Sequence, residues 1–213
     1  MGNLYNESSS TSDVKANYVT DSTGNVKDSE KWFQEFREFD YGIDIQSNII
    51  LIQDEIAAGL SFDFISKVRL LKKINPSLTS VTILLNSPGG DVVETLAMVD
   101  YMRALDADGI KTNIICRGSA MSAAALLLSA GTGTRAASKH SKIMVHQLSS
   151  FAMGKLSDLK SNAKFAEQLE DDCNLIMEEC TNKDKQWWAD NQQTDYFLSA
   201  TDALELGIID KII

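Results

Sequence analysis

The chain holds only two histidines, three cysteines and two prolines in 213 residues, and its 20 lysines and arginines face 30 acidic residues. Each shortage excludes something. Two histidines, His140 and His146, leave few groups able to exchange protons near neutral pH. The cysteines (Cys116, Cys173, Cys180) form an odd, scattered set with no CxxC pair and no neighbouring histidine cluster. Neither a disulfide framework nor a zinc site is expected from them, and they suit a reducing compartment. The basic deficit leaves a net charge of −10, with no Lys/Arg run longer than Lys72-Lys73. Such a surface repels phosphate backbones, so a nucleic-acid role is not expected. The longest apolar stretch, Ala120 to Ala130, contains two serines and is about half the length of a membrane span. The amino terminus lacks the charged-then-apolar pattern of a secretory signal and is too acidic for an organellar transit peptide. A soluble, cytoplasmic protein without cofactor or metal is the expectation.

What is present falls into two parts. Residues 1 to about 30 are rich in Ser, Thr, Asn and Asp, and their few apolar residues show no periodicity. A segment of that composition buries too little to offset its ordering entropy, so a flexible or removable tail is expected there. Residues 31–213 read as one domain, and the pattern turns regular. Asn48 to Ile52 and Val81 to Leu85 are short apolar runs of buried-strand type, and Ile114 to Cys116 ends a third strand. Between them lie helical periods: Phe64, Ile65, Val68, Leu71, Ile74, then Val92, Leu96, Val99, Met102, Leu105. A compact Ala/Leu helix over 122–130 and a strand over 142–147 follow. Leu156, Leu159, Ala163, Ala166, Leu169, Cys173, Ile176 and Cys180 then form one apolar stripe on a long helix, part of which should project toward a partner subunit. Ser199 to Asp202 opens a short helix with a capping box, Gly207 stops it, and a last strand spans 208–213. Strands alternating with helices in this order indicate an α/β fold with crossover connections.

Three places could carry chemistry. His140 lies in the polar turn Ser138 to Ser141 and reads as a surface residue, whereas His146 ends an apolar strand, where a packed core histidine is the ordinary finding. Ser122 stands at a strand-to-turn-to-helix junction. A plain N-cap is one reading. A nucleophile is the other, because the free N–H groups and dipole of the helix favour developing negative charge. Ser119, before the helix, competes with it, and the GxSxG elbow of α/β-hydrolases is absent. Asn86-Ser87-Pro88-Gly89-Gly90 closes the second strand with either a tight turn or a backbone N–H aimed at a carbonyl oxygen. Neither GxxxxGK[ST] nor GxGxxG is present, which removes nucleotide binding.

Taken together, Leu85 to Gly90, Cys116 to Gly131 centred on Ser122, Ile143 to Gln147, and Phe197 to Asp210 resemble the Clp protease proteolytic subunit (ClpP) family over residues 40 to 213. The resemblance implies a crotonase-like spiral of βαβ units with the helix over about 156–180 as a projecting handle. It implies a serine endopeptidase assembled as a homo-oligomeric, heptameric ring, or two stacked rings, served by an AAA+ unfoldase of the Clp type. Carried over by position, Ser122 is the nucleophile, His146 the general base, Asp195 the residue that orients it, and the backbone N–H groups of Gly90 and Ala123 the oxyanion hole. Nothing but the resemblance selects Asp195 over Asp190 or Asp202. This chain departs from the family at Met121 and Ala124 beside the serine and at Thr194, where members carry an arginine. In the cleft where ATPase loops dock it places Leu84, Ile115, Arg117 and Ala136. Two other readings remain at this stage: a catalytically weak or inactive ring or scaffold subunit, and a crotonase-type acyl-CoA hydratase or isomerase, which would also hold a carbonyl between two backbone N–H groups.

Overall fold

The computed structural model describes residues 41–149 and 152–213; the tail expected over residues 1 to about 30 lies outside them. The elements run β1 (Ile43–Asp44), β2 (Ile49–Gln53), α1 (Leu60–Ile74), β3 (Ser80–Ser87), α2 (Val92–Ala107), β4 (Lys111–Met121) and α3 (Ala123–Ser129). They continue with β5 (Arg135–Ala137), β6 (Lys142–Val145), α4 (Leu156–Cys180), α5 (Lys185–Asn191), β7 (Tyr196–Ser199), α6 (Ala200–Glu205) and β8 (Lys211–Ile212). The architecture is mixed α/β. Strands β2, β3, β4, β5 and β8 are parallel neighbours in that order, and β1 closes one edge antiparallel to β2.

Local sequence explains the helices that bracket this sheet. On α1, Phe64, Val68 and Leu71 recur every three or four residues and are fully buried, each contributing roughly 1.5–3 kcal/mol by leaving water. The Asp91 side chain caps α2 by accepting from the N–H groups of Val93 (2.8 Å) and Glu94 (3.1 Å). Glu94 in turn accepts from the N–H groups of Gly59 (2.9 Å) and Ser61 (2.8 Å), so the start of α2 fixes the start of α1. The expected capping box at Ser199 and Asp202 is present and opens α6.

Strand β4 is where the fold departs from the sequence reading. It does not end at Cys116 but runs on to Met121. Its first half pairs with β5 (Ile114 to Cys116) and its second half with β6 (Ser119 to Met121). The change of partner occurs at a bulge: Leu85 pairs with Cys116 and Ser87 with Ala120, so three residues of β4 stand against Asn86 alone. Asn86 Oδ1 fills the gap by accepting from the Ser119 N–H (2.9 Å) and hydroxyl (3.2 Å). Gly118, at φ 110°, is required there, because a Cβ would collide with that same amide. Strands β5 and β7 and helix α5 were not anticipated from the residue pattern; β5 and β7 are only three and four residues long.

Helix α4 spans the residues anticipated for it. Only its second half is anchored, through Asn174, Ile176 and Met177, whereas nearly every side chain from Leu156 to Gln168 is exposed. Among the described residues, no helix is long and apolar enough to cross a membrane.

Candidate active site

The bulged end of β4 delivers Ser122 to the head of α3 in an unusual backbone conformation, φ 55° and ψ −127°. A non-glycine residue there carries strain of about 1–2 kcal/mol, retained only when neighbours impose it. Several do. The Ser122 N–H donates to the Met144 carbonyl (2.7 Å), and its own carbonyl accepts from the Ala125 N–H (2.9 Å). Gly89, at φ 95°, packs against it so closely that a Cβ would lie 2.7 Å from Ser122 Cβ.

The plain N-cap reading of Ser122 does not hold: its side chain makes no capping bond to α3. The hydroxyl instead meets His146 Nε2 at 2.8 Å. His146 follows the last residue of β6, half-buried, and the β4–β6 ladder holds the two elements together through Ser119↔Lys142, Ala120↔Ile143 and Met121↔Met144. The competing hydroxyl, Ser119, is engaged with Asn86, and His140 is exposed in its turn.

Asp195 directly precedes β7. Strands β6 and β7 pair antiparallel from Lys142↔Ser199 to Val145↔Tyr196, and the next step of that register sets Asp195 opposite His146. The structure nevertheless joins no hydrogen bond between them. Asp195 is exposed and has no hydrogen-bond or ion-pair partner among the described residues. One residue further, the Gln147 N–H donates to the Gln192 carbonyl (2.6 Å) and ends the pairing.

The glycine turn after β3 reaches the same place. Gly90, at φ 145°, is bridged to Ile56: the Ile56 N–H donates to the Gly89 carbonyl (2.8 Å) and the Asp91 N–H to the Ile56 carbonyl (2.7 Å). A Cβ on Gly90 would collide with Ile56, so only glycine fits. A Cβ placed on the adjacent Gly89 would lie 3.1 Å from the Ala123 nitrogen, which shows how near the turn comes to the head of α3. The N–H groups of Gly90 and Ala123 have no acceptor among the described residues.

Beside Ser122 and His146 lies a cavity of about 50 Å³, walled by Leu126, Val145 and Met177 and by polar groups of α4. Asn174 is buried there, its Oδ1 accepting from Gln192 Nε2 (2.8 Å). Glu170 Oε2 accepts from Gln147 Nε2 at 3.3 Å. The Cys173 thiol is pushed up to about 12, first by burial and then by the charges of Asp172 and Glu170, so it stays protonated. Sequence reasoning did not single out Glu170, Asn174 or Gln192. The available signal was slight: Glu170 and Asn174 flank Cys173 on the stripe and put polar groups where helical period asks for apolar ones. Among the described residues, no group of His, Cys, Asp or Glu is placed to hold a metal.

Comparison with known proteins shows the family. The family described as Clp protease matches residues 35–213. The chain is 35% identical over 170 residues to the ATP-dependent Clp protease proteolytic subunit 2 of Chlamydia trachomatis serovar D, covering 79% of this chain and 82% of that protein. It is 34% identical, with the same coverage, to the ATP-dependent Clp protease proteolytic subunit 1 of Chlamydia felis.

Proposed function

The chain belongs to the Clp protease family, and on that premise we propose that it is a serine endopeptidase subunit of a cytoplasmic, self-compartmentalised ring. Ser122 is the nucleophile, His146 the general base, and Asp195 the group that orients the base. The observation that carries this reading is the 2.8 Å contact between Ser122 Oγ and His146 Nε2, made by a serine whose backbone is held at positive φ and whose hydroxyl forgoes the helix cap.

The chemistry follows from that contact. A serine hydroxyl is a weak nucleophile until a base takes its proton. His146 Nε2 accepts it as Oγ bonds to the substrate carbonyl carbon. The carbonyl π pair moves onto oxygen, where the N–H groups of Gly90 and Ala123 receive it. His146 then gives the proton to the departing amine, the carbon–nitrogen bond breaks, and an acyl-serine ester remains. Water repeats the sequence and releases the acid. With Nε2 accepting, Nδ1 carries the other proton and needs an acceptor, the role assigned to Asp195.

Assembly extends the proposal. The half-exposed helix α4, with Leu156 and Phe165 open to solvent, supports a homo-oligomer, and the family supports a heptameric ring, single or stacked, fed by an AAA+ unfoldase. Leu84, Ile115 and Ala136 are in register across β3, β4 and β5; the half-buried Leu84 and Ile115 offer such a partner an apolar patch, with Arg117 exposed beside it and Ala136 buried. Unaided, the ring would cut short peptides and leave folded proteins intact.

The absence of an Asp195–His146 hydrogen bond favours a second reading, a weak or inactive scaffold subunit. A displacement of about 1 Å in such a group costs roughly 100-fold in rate. The acyl-CoA hydratase reading gains nothing, since it leaves the Ser122–His146 pair unexplained. Fluorophosphonate labelling, mapped by mass spectrometry in the wild type, Ser122→Ala and His146→Ala, separates the readings. Modification of Ser122 that disappears in both variants is expected; a folded, assembled protein that takes no label would overturn the peptidase reading.

A further inference from the structure

The geometry points to Glu170 as a specificity-determining residue that selects a lysine or arginine side chain on the substrate residue whose carbonyl Ser122 attacks. This rests on the peptidase reading and deepens it. Ser122, Ala123 and His146 themselves form part of the cavity wall. A carbonyl placed at Ser122 Oγ with its oxygen toward Ala123 N–H therefore sends the side chain of its own residue into that space.

Leu126, Val145 and Met177 give the cavity apolar, buried walls. Among the described residues, Glu170 is the only carboxylate in the lining, and no lysine or arginine lines it. The carboxylate is partly exposed and held at the rim by the Gln147 side chain at 3.3 Å, a long bond that a stronger donor can displace. The neutral groups do not compensate its charge: the Cys173 thiol is protonated, and the Asn174 carbonyl oxygen is already taken by Gln192. An apolar wall beside one carboxylate that no cation pairs complements an aliphatic stem with a cationic head, because such side chains bury their methylenes and keep the charge near water. A glutamate or aspartate side chain would meet Glu170 as a like charge and is disfavoured.

The test uses the full-length assembled protein and a set of fluorogenic tetrapeptides identical except at the attacked residue, which is Lys, Arg, Met or Glu. The Lys-to-Met ratio of kcat/KM is expected to exceed one and to fall about fivefold in Glu170→Gln, the scale of a partly exposed ion pair. In Glu170→Lys the order should invert, with the Glu peptide overtaking the Lys peptide. Ratios within each variant are compared, so a general change in turnover does not enter. A further measurement needs no variant: raising salt from 0.05 to 0.5 M should erode the wild-type Lys preference and spare the Met peptide. A Lys-to-Met ratio at or below one in wild type, or a ratio indifferent to both substitutions, would overturn the role of Glu170 while Ser122 labelling still upheld the peptidase. Loss of Ser122 labelling in the wild type would instead overturn the peptidase reading itself.

Discussion

His146 and Asp195 are the next pair in the β6–β7 register after Val145 and Tyr196, and no hydrogen bond joins them. The ladder brings the two residues opposite one another without joining their side chains. If Asp195 fixes the His146 tautomer during turnover, Asp195→Asn should lower kcat by about 10⁴-fold with KM little changed, the loss seen when a triad carboxylate is neutralised. Steady-state kinetics on assembled protein measures this, and a loss below tenfold would remove Asp195 from the mechanism.

Ser122 is held at φ 55°, where glycine is at ease and a side chain is not. Ser122→Gly should therefore abolish hydrolysis yet stabilise the fold by about 1 kcal/mol, raising Tm by roughly 2–4 °C. Ser122→Ala loses activity equally but keeps the strain. Thermal unfolding of the two variants side by side checks the difference; equal Tm values would show that the turn carries no strain.

Gly89 and Gly59 make a matched pair, with φ 95° and 93°. A Cβ at Gly89 strikes the Ser122 turn, whereas one at Gly59 meets open space. Both alanine variants should lose about 1 kcal/mol to backbone strain. Only Gly89→Ala should also lose activity, by about 100-fold, through displacement of Ser122. Similar activity in the two would dissociate this turn from the site.

Arg135 secures the last strand. It pairs with Asp210 (2.6 Å) and donates to the carbonyls of Ser129 (3.0 Å) and Cys180 (2.6 Å). Arg135→Met should cost about 2 kcal/mol by leaving those groups unpaired, or roughly 4–8 °C in Tm. Burial alone would raise the Asp210 carboxyl, but its bonds to Arg135 outweigh that and hold it below the usual value. A depressed carboxyl stabilises the fold above about pH 4 and loses that effect as pH falls through its folded value. Urea melts between pH 3 and 6 should show this acid dependence weakened in the variant.

Cys173 lines the same cavity as Ser122, and its thiol is raised to about 12. Iodoacetamide at pH 7.5 should leave it unalkylated in the folded protein and modify it once urea unfolds the chain, since only the thiolate reacts. Mass spectrometry of the 173-containing peptide reads the outcome, and fast modification of the native protein would contradict the buried setting.

The parts of the fold legible in the residues were those with a long period: α1, α2 and α4 through their apolar stripes, β3 through its run. The rest depended on partners distant in sequence. Arg117-Gly118 looks like the end of a strand, and only Asn86, 31 and 32 residues earlier, makes it a bulge in a strand that continues. Ser122 and His146 could be weighed as candidates because each sits at an element boundary. Asp195 could not be chosen among the carboxylates, since its nearness to His146 comes from the pairing of β6 with β7 across a 25-residue helix. Glu170 and Asn174 were masked by the stripe they interrupt.

The double allegiance of β4 places Ser122 and His146 at the ends of two paired strands. Each is the first residue beyond its strand, past the Met121↔Met144 rung, and the bond from the Ser122 N–H to the Met144 carbonyl clamps the junction. The chain from His146 to Asp195 instead makes an excursion through α4 and α5. The Ser122–His146 pair therefore takes its spacing from neighbouring strands, and Asp195 takes its place only once β7 has paired with β6 after that excursion.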